Sequence, residues 1–92
     1  KMDTIKYYNG DEPFKPSGIA IHPITENIFI LGSAGKLLLV VSRKGEMLAM
    51  IKLSSKIFPQ PEGICFSPDG TLYISNEGGG KEGTILEFEP RK

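Results

Sequence analysis

The feature of this sequence that most constrains its fold is an internal repeat. Residues 16–23 read PSGIAIHP and residues 61–68 read PEGICFSP, and four of the eight positions are identical. Two further pairs of blocks follow in the same order: 27–30 (NIFI) with 71–74 (TLYI), and 36–40 (KLLLV) with 84–88 (TILEF). Blocks that recur in order at a spacing of about 45 residues indicate a duplicated structural unit.

Each block has the composition of a short β-strand. The blocks are rich in Ile, Leu, Val and Phe, and Gly, Pro and Asp separate them. A helix over residues 36–53 is the competing interpretation, because Leu, Met and Lys favour helices, but Gly45 in its middle argues against it. A repeat of this length made of four short strands is typical of a β-propeller blade. We therefore expect an all-β chain of about two four-stranded antiparallel blades, which is a partial ring.

The strand assignment divides the chain into one complete and two incomplete blades. Residues 16–53 form a complete blade, and residues 61–92 form a blade that lacks its last strand. Residues 4–8 (TIKYY) lie where strand D of a preceding blade belongs. The expected strands are 18–22, 27–31, 36–42 and 46–53 (A to D of the complete blade) and 63–67, 71–75 and 84–89 (A to C of the next).

The same residues carry a family resemblance. The run QPEGICFSPDGTLYISNE at residues 60–77 resembles the SdiA-regulated family of bacterial propellers, and more loosely NHL-like and gluconolactonase-like propellers. A weaker copy of this motif, KPSGIAIHPITENIFIL, lies at residues 15–31. The resemblance implies a ring closed by an N-terminal strand, acidic residues that hold a divalent cation at the channel mouth, and a periplasmic or cell-envelope location.

A candidate metal site lies at one end of the second blade. Glu62 begins its strand A, and Asn76 and Glu77 end its strand B, so antiparallel pairing brings these residues to the same rim. Two carboxylates and an amide oxygen suit Ca²⁺, which takes oxygen ligands. The alternative is that both glutamates are solvated loop ends. Because the first blade has Ser17 in place of Glu62, a site repeated in every blade is excluded.

Other residues that could carry chemistry have structural interpretations. Gly78–80 joins two strands and is followed by no helix, so it is a rim loop and not a phosphate cradle. His22, the single histidine, is expected to be a structural hydrogen-bonding residue. Cys65, the single cysteine, is expected to be a small buried hydrophobe. Three aromatic residues recur at equivalent places in the two blades and indicate packing between blades: Phe29, Tyr73 and Phe88.

The composition gives no support for two classes of function, nucleic-acid binding and insertion into a membrane as a helix. The 11 basic and 11 acidic residues balance, so the charge pattern gives no reason to expect nucleic acid. No apolar run approaches the ~20 residues of a membrane-inserted helix. We expect a non-catalytic binding or scaffold module; the alternatives are a metal-assisted lactonase or esterase, which would need ligands from further blades, and protein interaction through the outer blade edges.

Two expectations concern packing. Gly18 and Gly63 open strand A of each blade, where close backbone approach or an unusual φ favours glycine, so Gly63→Val should destabilise by ~1 kcal/mol or more. The continuous apolar run at residues 37–41 indicates a strand covered on both faces. Two blades leave outer faces bare, so partners are expected to be other blades, from a longer chain or from identical copies, three of which would close a six-bladed ring.

Overall fold

A computed structural model of the chain describes residues 15–78 and 82–90. These residues form two antiparallel sheets and contain no helix, as the repeat predicts. Residues 4–8, assigned above to a strand D, lie outside the described residues.

The first sheet has four strands in the order β1-β2-β3-β4. Each strand pairs with the next one along the chain, so the sheet is a simple meander. Its strands are β1 (Lys15–Ile21), β2 (Ile28–Ala34), β3 (Leu37–Val41) and β4 (Met47–Lys52).

The second sheet repeats this arrangement over its first three strands, in the order β5-β6-β7. Both sheets begin with an irregular ladder, because the pairing shifts between Pro16 and Gly18 in β1 and between Pro61 and Gly63 in β5. The strands are β5 (Pro61–Phe66), β6 (Leu72–Asn76) and β7 (Thr84–Phe88).

Turn residues with positive φ connect these strands. Gly45, with φ of 90°, lies in the turn between β3 and β4, which shows why residues 36–53 form two strands and no helix. Gly70, with φ of 94°, closes the Ser-Pro-Asp-Gly turn before β6. The connection between β2 and β3 differs from expectation, because Gly32, opposite Leu37, is the last residue of β2 that pairs with β3, so residues 33–36 make the turn. The Lys36 N–H donates to the Ser33 carbonyl at 3.3 Å, and Gly35 and Lys36 have positive φ, 80° and 49°.

The register corrects one part of the sequence alignment. In the first sheet Gly32 pairs with Leu37, and in the second Asn76 pairs with Thr84. Leu37 therefore corresponds to Thr84, whereas the sequence blocks had matched Lys36 with Thr84. A shift of one residue moves every side chain of a strand to the other face, so the correction changes which residues of β7 are equivalent to those of β3.

The main hydrophobic core lies between the two sheets. Leu31 and Leu38 of the first sheet and Ile74 of the second belong to it, together with Leu53 and Phe58 from the connection between the sheets. Phe29, Ile64, Leu72 and Leu86 pack against this cluster, which confirms that Phe29 lies between the two sheets. Burial of this apolar surface is the dominant stabilising contribution that holds the sheets together.

A second cluster lies on the opposite face of the first sheet. Ile30, Leu39 and Val41 are buried there, with Ile28 packed against them. At the margins of that face, Ile19 is 58% exposed and Met50 is 48% exposed. All five residues of β3 are buried, so this strand is enclosed on both faces, as the apolar run predicts. None of the described residues forms a helix able to cross a membrane.

Candidate functional site

The three predicted metal ligands lie at the same end of the second sheet. Pro61 of β5 pairs with Asn76 of β6, and the Glu77 backbone N–H donates to the Gln60 carbonyl at 2.9 Å. Glu62 lies in the irregular step of β5 between Pro61 and Gly63. Antiparallel pairing thus brings the start of β5 beside the end of β6, as the sequence predicts.

These three residues differ in their burial. Glu62 and Glu77 are exposed, whereas Asn76 is 5% exposed. Asn76 lies two residues beyond the buried Ile74, so both side chains leave β6 on the face toward the first sheet. Among the residues that the structure describes, neither the Nδ2 nor the Oδ1 atom of Asn76 has a hydrogen-bond partner. A buried amide left unpaired costs about 1–3 kcal/mol, so this side chain requires an explanation beyond packing.

The residues fit part of a calcium coordination shell. Ca²⁺ takes 6–8 oxygen ligands, and the Asn76 Oδ1 atom is an oxygen of the correct kind that accepts no hydrogen bond from the described residues. Glu62 and Glu77 are exposed at the same end of the ladder. Within residues 15–78 and 82–90, no three His, Cys, Asp or Glu residues are grouped closely enough to hold a metal ion. Other ligands would have to be water, backbone carbonyls or groups from outside these residues.

Ser17 is a polar residue of this region whose role the sequence did not reveal. Its hydroxyl lies 3.3 Å from the Leu31 carbonyl of its own sheet and 3.3 Å from the Pro61 carbonyl of the other. A hydroxyl donates one hydrogen bond at a time, so Ser17 donates to either carbonyl. It therefore links the two sheets beside the site. The sequence feature that could have indicated this role is the alignment of Ser17 with Glu62 in the repeat.

His22 has the structural role expected of it. Its Nδ1 atom accepts hydrogen bonds from the backbone N–H groups of Ile24 and Thr25, at 3.1 and 3.2 Å. The ring centroid lies 4.9 Å from that of Phe66, and Phe66 meets Phe29 edge to face at 4.8 Å. His22 therefore holds the turn after β1 and packs against the second sheet.

Asp69 closes the equivalent turn of the second sheet. Its carboxylate accepts hydrogen bonds from the Ser67 hydroxyl and from the Thr71 backbone N–H and hydroxyl, the last two at 3.1 and 2.9 Å. The Ser67 hydrogen bond, followed by those from Thr71, lowers the pKa of this carboxyl below its ordinary value. All three hydrogen bonds end on the Oδ1 atom, so this carboxylate oxygen holds the turn together.

The expectation that Cys65 is buried is wrong. It lies on β5 but is exposed, because its neighbour Ile64 takes the face toward the first sheet and Cys65 takes the other. Tyr73 pairs with Cys65 and shares this outer face, so Tyr73 does not pack between the two described sheets. The charge of Glu87, its partner on β7, raises the pKa of the Tyr73 hydroxyl.

The remaining predicted residues are placed as follows. Phe88 stacks on Phe58 with ring centroids 6.1 Å apart, so it packs against the connection between the sheets. Gly78 is half-buried at the end of the second sheet, and Gly79 and Gly80 lie outside the described residues.

Comparison with known proteins agrees with the repeat and the fold. No curated protein and no solved structure matches the chain. The family model described as SdiA-regulated matches residues 15–79, which is more than half of the chain. That segment contains both copies of the strand A motif and the rim formed by Glu62, Asn76 and Glu77. The chain therefore belongs to the SdiA-regulated family.

Proposed function

We propose that this chain is a non-catalytic binding or scaffold module of a β-propeller protein, and that it holds Ca²⁺ at the rim formed by Glu62, Asn76 and Glu77. The observation that carries the proposal is the Asn76 amide, which is buried at this rim and has no hydrogen-bond partner in the described part of the chain. A bound cation would accept the Oδ1 atom as a ligand and so offset the cost of burying it.

The chemistry of the neighbouring residues supports a binding role. Glu62 and Glu77 add two carboxylates at the same end of the ladder. Residues 61–92 carry six acidic against three basic residues, which favours a cation near this sheet. His22 and Asp69, two residues that could act in acid–base catalysis, are both engaged in turns by hydrogen bonds.

Calcium titration with matched variants tests the proposal. Thermal unfolding and calorimetry of the full chain should show stabilisation by Ca²⁺, because a ligand that binds only the folded state stabilises it by mass action. Glu62→Gln and Glu77→Gln should weaken this effect. Glu46→Gln, which changes an exposed carboxylate in the turn before β4, is the control and should leave the effect unchanged. A melting temperature of the wild type that does not respond to Ca²⁺ would contradict the proposal.

The Asn76→Leu variant tests whether the buried amide of Asn76 is a calcium ligand or a polar group whose burial is not compensated. Leucine has a similar shape and no polar atoms, so in the presence of a chelator this variant should unfold at a higher temperature than the wild type. With Ca²⁺ present the order should reverse, because only the wild type gains the ligand. A variant that is less stable than the wild type in chelator would show that the amide has a partner within the protein.

A metal-assisted lactonase or esterase remains the alternative function. Such an enzyme would use the cation to polarise a carbonyl and activate water. Hydrolysis of simple lactones and esters by the calcium-loaded chain, compared with Glu62→Gln, tests it directly.

A further inference from the structure

The outer edge of β7 is open. Its counterpart in the first sheet, β3, pairs with β2 on one side and with β4 on the other. Within the described part of the chain, β7 pairs only with β6. An unpaired edge presents a row of N–H and C=O groups on which another strand can pair.

An apolar groove adjoins this edge, between the two sheets. Phe88 is 42% exposed on one side of it and Ile51 is 45% exposed on the other. The groove, which we call the β7 groove, is lined by Leu38, Ile51, Leu53, Phe58, Leu72 and Phe88. An open strand edge beside apolar pockets is the arrangement by which proteins take up an additional β-strand, with main-chain hydrogen bonds for affinity and alternate side chains for specificity.

The charge on the face of β7 away from the groove indicates which side chains an added strand should carry. Glu87 lies on that face and is exposed, and Glu89 follows directly after the strand. The effect of Glu87 on the pKa of Tyr73 is consistent with a negative local field. The strand that fits therefore has apolar residues at alternate positions, facing the groove, and a basic residue between them, opposite Glu87.

Residues 4–8 of the sequence, TIKYY, have this pattern. The pairing of β3 with β4 provides the register, because it places Ala49 opposite Val40 and Met50 opposite Leu39. Glu87 and Leu86 are the β7 equivalents of Val40 and Leu39 in the corrected alignment. An antiparallel strand with Lys6 opposite Glu87 places Tyr7 opposite Leu86, on the groove side. Ile5 then takes the place of Leu48, which the bulge between Val40 and Val41 leaves without a pairing partner in the ladder of the first sheet.

The repeat indicates that this strand comes from another copy. Residues 4–8 precede β1 as β4 precedes β5, and the connection from β4 to β5 leads from one sheet to the next. If residues 4–8 are equivalent to β4, they belong to a sheet that precedes the first sheet, on its face away from the second sheet. β7 belongs to the second sheet, so residues 4–8 of the same copy would lie on the far side of the first sheet from β7. The outer face of the second sheet has the residues that correspond to the inner face of the first: Gly63, Cys65, Tyr73 and Ile85 for Gly18, Ala20, Phe29 and Leu38.

We propose that residues 4–8 of a second copy add to β7 as its fourth strand, with Lys6 opposite Glu87, so that copies of the chain assemble head to tail. The inference rests on the scaffold role proposed above and is independent of the calcium site.

Sedimentation velocity of the full chain tests the proposal, in chelator and in Ca²⁺ so that a failure of the calcium site is recognised separately. The wild type should sediment as an oligomer at about 50 μM. Glu87→Lys and Lys6→Glu should each weaken the association by about tenfold, since both place like charges opposite one another. The double variant should restore it. Glu46→Lys, which makes the same charge change in the turn before β4, is the control and should associate like the wild type.

A synthetic peptide of residues 1–10 provides a second measurement. Added in excess to the wild type, it should compete for β7 and lower the sedimentation coefficient, and the Lys6→Glu peptide should do so less well. A compact wild-type monomer of 10.1 kDa that unfolds cooperatively would overturn the proposal, even if it bound the peptide. Oligomers that the single charge reversals leave unchanged would overturn it as well.

Discussion

β3 and β7 occupy the same place in the two sheets, yet their surroundings differ. All five residues of β3 are buried, whereas four of the five residues of β7 are exposed. β3 lies between two paired strands and is buried on both faces, whereas among residues 15–78 and 82–90 β7 has a paired strand on one side only. The sequences differ accordingly, LLLVV against TILEF. The comparison shows that the burial of a repeated strand depends on the strands beside it. The presence of β4 beside β3 accounts for much of the difference in burial between β3 and β7.

The largest expected effect tests this comparison at one pair of residues. Leu39 is fully buried in β3, and Leu86 is its half-buried equivalent in β7. Leu39→Ala should lower the free energy of unfolding by about 2–5 kcal/mol, because a cavity remains in an enclosed site. Leu86→Ala should lower it clearly less. Urea unfolding measures both changes, and equal losses would show that the two sheets are enclosed alike.

A second prediction compares the two glycines of strand A. Neither Gly18 nor Gly63 has a positive φ, so close approach and not backbone conformation explains them. A Cβ on Gly63 would lie 2.6 Å from the Ser75 Oγ atom, and one on Gly18 would lie 3.0 Å from the Ile64 Cγ2 atom. Gly63→Ala should therefore destabilise by about 1 kcal/mol.

Relief of the Gly63 contact provides the control. Ser75→Ala removes the obstructing oxygen, so the double variant Gly63→Ala/Ser75→Ala should recover most of the lost stability, as a double-mutant cycle would show. The same Ser75→Ala change should not relieve Gly18→Ala. If Gly63→Ala alone is neutral in thermal unfolding, Ser75 rotates away without cost and the close approach has no energetic meaning.

The two turns after strand A provide a third, smaller test. His22 holds the first turn and Asp69 the second. Because the folded state lowers the pKa of Asp69, the ionised carboxylate stabilises the fold above the ordinary aspartate pKa, and this contribution is lost as the pH falls through the lowered value. Asp69→Ala should therefore melt below the wild type at neutral pH, and the difference should shrink in acid. A difference that does not change with pH would contradict the role of the charge.

The smallest effect concerns the outer face of the second sheet. Glu87 is the main cause of the raised pKa of Tyr73, so Glu87→Gln should move that pKa back toward its ordinary value. Raising the pKa disfavours phenolate in the folded state, so stability falls as the pH rises from the ordinary tyrosine pKa through the raised one. Ultraviolet titration in a Tyr7→Phe/Tyr8→Phe background measures the pKa. Glu89→Gln, a weaker contributor, should shift it less.

The strand order could be predicted from the sequence because it depends on local signals. Apolar blocks and the turn glycines Gly45 and Gly70 define hairpins whatever lies around them. The alignment of β7 with β3 was wrong by one residue for a related reason. KLLLV has no alternation of polar and apolar residues, so its pattern cannot fix a register. The turn before β3, residues 33–36, is shorter than the connection before β7, residues 77–83, so the first turn gives no count for the second.

The candidate site could be predicted only in part. Pairing of neighbouring strands is enough to bring Glu62, Asn76 and Glu77 to one end of the sheet. The burial of Asn76 depends on the irregular step in β5 and on the position of the first sheet, neither of which a single sequence contains. The exposure of Cys65 has the same origin, because strand composition does not say which face of a sheet another sheet covers.

The meander topology also has a consequence for how the chain acquires its structure. Each ladder between the described strands joins strands that are adjacent in sequence, whereas contacts between the sheets, such as Gly18 with Ile64, join distant residues. Local contacts form faster than distant ones, because less chain entropy is lost before they are made. During synthesis the first sheet would therefore close hairpin by hairpin while the second is still being translated, and docking of the two sheets would be the slow step.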